Sequence, residues 1–87
     1  MYKVTWDKKA EKDLSRIDIS TAKKIYDQVN RELTINPYIL GKELKGHFKG
    51  ARSYRIGDYR VIYEVDYDII TVQIIKVAHR KEVYIRI

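Results

Sequence analysis

Between residues 53 and 63 the chain reads Ser53-Tyr54-Arg55-Ile56-Gly57-Asp58-Tyr59-Arg60-Val61-Ile62-Tyr63, two alternating runs joined by Gly-Asp. No other stretch restricts the fold so tightly. A glycine at the first position of a two-residue loop adopts the positive φ of a type II′ turn, whose twist matches that of the strands it joins. The loop predicts a hairpin in which Ile56 faces Tyr59, Arg55 faces Arg60, Tyr54 faces Val61 and Ser53 faces Ile62. Side chains of a strand alternate between faces. Tyr54, Ile56, Tyr59, Val61 and Tyr63 therefore share the side that helices should cover, and Arg55 and Arg60 meet on the other.

The rest of the chain supplies those helices. Tyr2, Val4 and Trp6 alternate as in a half-buried strand. Asp7 can cap a helix in which Ala10, Leu14 and Ile17 recur at helical spacing. A second helix is expected from Asp18–Ser20, with Ala22, Ile25, Tyr26, Val29 and Leu33 on one stripe, and Asn36-Pro37 should end it. The short link between the two predicts an antiparallel helical hairpin. A loop segment with Gly41, Gly46 and Gly50 follows, and then three strands over Arg52–Ile56, Tyr59–Val65 and Ile69–Val77. The last is apolar on both parities, as a central strand should be. The tail Glu82–Ile87 is either a short strand or an irregular end. The order β-α-α-β-β-β implies an α+β domain, its two N-terminal helices packed on one face of a mostly antiparallel sheet. At 87 residues, one domain over 1–87 is expected.

Charge narrows the function classes. Eighteen Lys and Arg against twelve Asp and Glu leave +6, with pI ≈ 9.6. Such an excess either keeps the protein in solution or attracts polyanions, nucleic acid first. There is no cysteine, hence neither a disulfide nor a thiolate metal site, and two histidines are too few for a metal cage. No metal or cofactor is expected. Met1 leads directly into a strand-like run rather than a signal peptide, and no apolar run approaches the roughly 20 residues of a membrane helix. The expected location is cytoplasmic, without membrane contact.

Like charges directly opposite one another destabilise a sheet. The Arg55–Arg60 pair is tolerable if a carboxylate lies between them, if the side chains splay into water, or if the site takes an anion. Lys49 and Arg52 just upstream, and His79-Arg80-Lys81 after the third strand, are expected to converge on the same place. A basic face built from several strands suits a phosphate backbone.

With its two amphipathic helices, its Leu44-Lys45-Gly46 loop, this hairpin and His79-Arg80…Val83-Tyr84 near the end, the chain resembles the RelE/ParE toxin superfamily over essentially its whole length. The tail leans toward RelE. Its members are messenger RNA interferases acting in the ribosomal A site, where a ribose 2′-hydroxyl attacks the adjacent phosphate without a metal. The resemblance assigns Arg60 to the arginine of the hairpin, Arg80 to the arginine after the last strand, Arg55 to a basic residue before the turn, and Tyr84 to the C-terminal tyrosine. Two positions depart from the pattern. Ser53 stands where a first basic residue is usual, with Arg52 and Lys49 as nearby substitutes, and the spacing from Arg80 to Tyr84 is short.

On this reading Arg60 and Arg80 stabilise the transition state, Arg55 positions the phosphate, and Lys49, Arg52 and Lys81 hold the strand. Tyr84 or His79 carries the proton. The plainer alternatives make Tyr84 a core aromatic and His79 a turn residue. His47 is expected at the surface, and Tyr38 and Tyr67 in loops are able to stack on bases. The implied partners are the ribosome, mRNA and a small RelB-like antitoxin, through which any operator DNA would be contacted. An acidic antitoxin segment would lie across the basic face or the helical hairpin. Two rivals stand beside this reading: a ParE-like toxin that inhibits gyrase and cleaves nothing, and a plain nucleic-acid-binding domain.

Overall fold

The computed structural model describes residues 1–46 and 50–81. Strand β1 (Lys3–Trp6) is followed by helix α1 (Lys8–Ser15), which Asp7 starts by accepting the Lys8 amide at 3.0 Å. Asp18 caps α2 (Ile19–Glu32) through a 3.0 Å bond from the Thr21 amide, which also holds its carboxyl below the usual range. Asp7 caps where the sequence predicts, and α2 begins within the expected span Asp18–Ser20.

Helix α2 stops at Glu32, short of the expected proline stop, and a turn follows. Pro37 instead opens a single-turn helix, α3 (Pro37–Leu40), at a position where its missing N–H costs nothing. A two-residue strand, β2 (Lys42–Glu43), comes next, then β3 (Arg52–Ile56), β4 (Tyr59–Asp66) and β5 (Thr71–His79). The expected third strand is thus displaced: Ile69 and Ile70 lie in the β4–β5 turn. Asp66 Oδ1 shapes that turn by accepting the amides of Asp68 (3.0 Å) and Ile69 (3.3 Å). Ile70 sits at φ 50, a left-handed conformation that costs a β-branched residue roughly 1–3 kcal/mol.

The sheet order is β1-β5-β4-β3-β2, with β1 parallel to β5 and every other pair antiparallel. β4 stands in the middle of this order, and β5 lies inside the sheet between β1 and β4. Ala10, Ile25, Val29 and Leu33 of the helical layer pack on Tyr54, Ile56, Val61, Tyr63, Val72, Ile74 and Val77. Each fully buried large side chain contributes about 1.5–3 kcal/mol relative to exposure. Trp6 links β1 to α2 by stacking on Tyr26 and donating to Asn30 Oδ1 at 3.3 Å. No helix among the described residues is long and apolar enough to cross a membrane.

One irregularity decides which side chains reach which face. β4 and β5 pair as Ile62↔Lys76 and then Tyr63↔Ile74, leaving Ile75 as an extra residue. The bulge reverses parity along β5. Val72 and Ile74 face the helices before it, and Val77 and His79 do so after it. Lys76 and Ala78 consequently join the opposite face, beside Ile62 and Arg60. Just past the bulge, the Val77 amide donates to Asp13 Oδ2 of α1 at 3.0 Å, tying helix to sheet.

Candidate nucleic-acid interface

The hairpin forms with the register read from the sequence. Ile56 pairs with Tyr59, Arg55 with Arg60, Tyr54 with Val61 and Ser53 with Ile62. Gly57 has φ 57 while Asp58 stays out of the positive region, as a type II′ turn requires. Arg55 and Arg60 are therefore cross-strand neighbours on the face turned away from the helical core.

Around this pair the face forms a grid. One row runs Lys42–Ser53–Ile62–Lys76 across β2, β3, β4 and β5, and the next runs Arg55–Arg60–Ala78. Beyond the strand end, the Arg80 amide donates to the Asp58 carbonyl at 2.7 Å, which sets Arg80 across from Asp58. Arg80 thereby follows directly on the strand end that carries Ala78, the cross-strand partner of Arg60. Ser53, Ile62 and Ala78 are buried, so the cations surround a floor of two apolar side chains and one hydroxyl. Lys42 and Lys76 were missed in the sequence. Lys76 reaches this face only because of the bulge, and Lys42 only because β2 exists; Lys42 stands directly across from Ser53, where a basic residue is otherwise usual.

The turn also orients two of the arginines. Arg55 Nε donates to the Gly57 carbonyl at 3.1 Å, and Arg80 Nε lies 3.9 Å from Asp58 Oδ1. The second contact is between half-exposed groups and contributes little energy. It relieves part of the like-charge repulsion, as expected if a carboxylate sits among the arginines. Guanidinium groups so gathered can offer paired N–H donors to phosphate oxygens without changing protonation.

Other expected site residues lie elsewhere. Arg52 belongs to the structure: it shares the parity of Tyr54, and its guanidinium donates to the carbonyls of Tyr38 and Gly41, both at 2.6 Å. Those bonds hold α3 against the sheet edge. His79 faces the helices, edge-on to Tyr59 with ring centroids 5.4 Å apart, and lines a cavity of about 330 Å³ with Asp13, Arg16 and Ile17. Its Nδ1 accepts the Lys81 amide at 3.3 Å. His79 ends β5 across from Tyr59, and the thickness of the sheet separates its ring from the arginine face. Lys81 is exposed beyond β5. Lys49, Tyr84 and His47 fall outside the described residues.

Tyr38 and Tyr67 do not form a base-stacking platform beside the arginines. They stack on each other, centroids 5.6 Å apart, at the opposite end of the molecule. There Glu64, Asp66 and Asp68 line a cleft of about 450 Å³ with Tyr67, Ile69 and Gln73. Three carboxylates repel a phosphate, so the chemistry of this cleft disfavours a nucleic acid whatever its concavity. Charge on the exposed face thus runs from cations at the Gly57-Asp58 turn to carboxylates at the β4–β5 turn.

A helical layer on one face of a five-stranded sheet, with arginines gathered at a hairpin on the other, defines a small basic toxin of the toxin–antitoxin type. The chain belongs to the family described as the ParE toxin of type II toxin–antitoxin systems, whose model matches residues 4–84. It is 37% identical over 83 residues to toxin RelE of Mycobacterium tuberculosis, covering 95% of this chain and 86% of that protein. Toxin RelG of the same organism is 31% identical over 85 residues, 98% of each chain. Among solved structures, the toxin–antitoxin complex RelBE2 from Mycobacterium tuberculosis superposes with a TM-score of 0.86 at 30% identity, over 91% of both chains. The isolated Escherichia coli RelE toxin shares the fold, with a TM-score of 0.74 at 19% identity over 99% of this chain and 98% of that one. The protein is a toxin of a type II toxin–antitoxin system in the RelE/ParE superfamily.

Proposed function

We infer that this toxin is an endoribonuclease that cuts messenger RNA on the ribosome, by attack of a ribose 2′-hydroxyl on the neighbouring phosphate, whose bond to the 5′-oxygen breaks to leave a 2′,3′-cyclic phosphate and a 5′-hydroxyl. The observation that carries this reading is the convergence of Arg55, Arg60 and Arg80 on one turn, on the sheet face opposite the helical core. Negative charge accumulates on the non-bridging oxygens as the phosphate becomes pentacoordinate, and fixed guanidinium donors stabilise that charge most. Arg60, half-buried in the grid, is assigned to the transition state together with Arg80; Arg55 positions the phosphate. Lys42, Lys76 and Lys81 add charge along the strand path, and the carboxylates at the far turn confine that path to the hairpin end. With His79 turned to the helices, the proton falls to Tyr84, a role taken from the family motif.

The partner is a small RelB-like antitoxin, a reading supported by the structural relatives solved as RelBE complexes. The protein acts in the cytoplasm, where ribosomes and message are found. The description of the matching family favours one alternative, a ParE-like toxin directed at gyrase.

Purified protein added to translating ribosomes separates the two. Message cut within codons and bearing new 5′-hydroxyl ends is the expected result. Intact message together with inhibited DNA supercoiling by gyrase would overturn the nuclease reading.

A further inference from the structure

The far end of the molecule, away from the arginines, carries an apolar surface that neither RNA chemistry nor the core uses. Ile35, Tyr38, Ile39, Tyr67, Ile69 and Ile70 are 42–74% exposed there, far more apolar surface than scattered single residues would give. They gather at the end where the α2–α3 turn, α3 and the β4–β5 turn meet. Tyr38 stacks on Tyr67 and meets Tyr2 edge-on at 5.9 Å, the Tyr2 amide donates to the Thr34 carbonyl, and the Lys3 amide donates to the Ile70 carbonyl.

The surface is also held rigid. Tyr63, fully buried, donates its hydroxyl to the Pro37 carbonyl, and Arg52 bonds the Tyr38 and Gly41 carbonyls, so α3 presents Ile39 in a fixed position. The Asx turn at Asp66 fixes Ile69. A preorganised apolar surface gives up little conformational entropy when it is covered.

We propose that this end is where a second copy of the chain docks, forming a two-fold dimer that leaves both arginine faces outward. Area and charge select that occupant. The six side chains together expose an area on the order of the ~800 Å² that each partner buries in a standard-size interface. Two molecules of charge +6 repel wherever their basic faces meet. The β4–β5 end is where carboxylates collect, so two copies approach there at the lowest electrostatic cost. Asp66 and Asp68 stand in the β4–β5 turn, Lys3 lies across from Thr71 at the edge strand, and Arg31 lies one helical turn before Thr34. A two-fold axis brings each edge of a patch against the opposite edge of its partner, so these charges are disposed to complement one another. A nucleic acid is a poor occupant because the same carboxylates repel it.

Sedimentation velocity of the purified chain tests this proposal independently of any nuclease activity. The expected species has twice the 10.4 kDa monomer mass, with a dissociation constant in the micromolar range or tighter. Ile39→Asp and Ile69→Asp, both at exposed positions, should each yield monomer with unchanged circular dichroism. Ile39→Ser is the milder variant should an aspartate perturb folding. Ile19→Asp, at the exposed start of α2, should leave the dimer intact. A wild-type monomer up to about 100 µM overturns the proposal, since an interface of this area holds below that concentration. So does a dimer that survives the Ile39 and Ile69 changes but is lost with Ile19→Asp. A monomer whose Ile39 and Ile69 variants instead lose an antitoxin, or lose binding to phosphatidylcholine vesicles, would assign the surface to that partner and overturn it equally.

Discussion

At the scale of single residues, Arg60 and Tyr63 show two kinds of constraint on neighbouring positions of one strand. Arg60 faces outward, and its removal should cost chemistry: Arg60→Ala is expected to lower the cleavage rate about 10²–10³-fold, the usual loss of one fixed transition-state donor. Circular dichroism and the unfolding midpoint should change little. Tyr63 faces inward. Its hydroxyl is buried and donates to the Pro37 carbonyl, so Tyr63→Phe leaves that acceptor unsatisfied at a cost of about 1–3 kcal/mol in urea unfolding. Gly41 is needed beside it for space rather than for an unusual φ: a Cβ there would lie 2.1 Å from Tyr63 Oη. Gly41→Ala should therefore cost about 1–3 kcal/mol by overpacking, read in the same urea titration. The pairing of Arg55 with Arg60 was legible because one turn type fixes a register. That Arg52 faces inward follows from parity, since it lies two residues before Tyr54.

At the scale of elements, the bulge in β5 separates what the sequence could disclose from what it could not. A strand apolar on both parities has two origins, burial on both faces or a change of register. Here the second operates: Val72 and Ile74 are apolar on one parity, Val77 on the other, and Ile75 is the residue that switches them. Simple alternation cannot locate that switch, and with it went the placement of His79 and Lys76. The bulge is held by Asp13, which accepts the Val77 amide. Asp13→Ala should strand a partly buried N–H and cost about 1–3 kcal/mol, whereas Asp13→Asn retains an acceptor and should cost less. Hydrogen exchange at Val77 reads the difference directly. The elements around it were more accessible. Asp7 and Asp18 announce both helices as caps, whereas α3 and β2 are too short for periodicity and arise from the tertiary bonds of Arg52 and Tyr63.

At the scale of the whole molecule, charge is polarised along the sheet, and the tyrosines set the alkaline limit of the fold. Tyr2 is raised to about 12, chiefly by its hydrogen bond with Tyr38, and burial raises Tyr54 and Tyr63. A phenol whose folded pKa exceeds its unfolded value stabilises the fold fully below the unfolded value, near 10. That contribution fades as pH rises from 10 through the folded pKa. Stability should accordingly be level with respect to these groups up to about pH 10 and fall between pH 10 and 12. An ultraviolet titration of tyrosinate should show several phenols ionising only as the fold is lost. On the proposed nuclease reading, the same polarity at neutral pH directs RNA to the Gly57-Asp58 turn rather than to the β4–β5 turn.

The account rests on guanidinium groups at the hairpin acting on a phosphate during its reaction rather than merely holding it. Single-turnover cleavage of message bound in the ribosomal A site, compared for the wild type and Arg60→Ala, measures this most directly. The expected result is a rate at saturating toxin that falls at least about a hundredfold while affinity for the ribosome changes less than about tenfold. A variant that cleaves at the wild-type rate once saturated, with only its affinity weakened, would contradict the account.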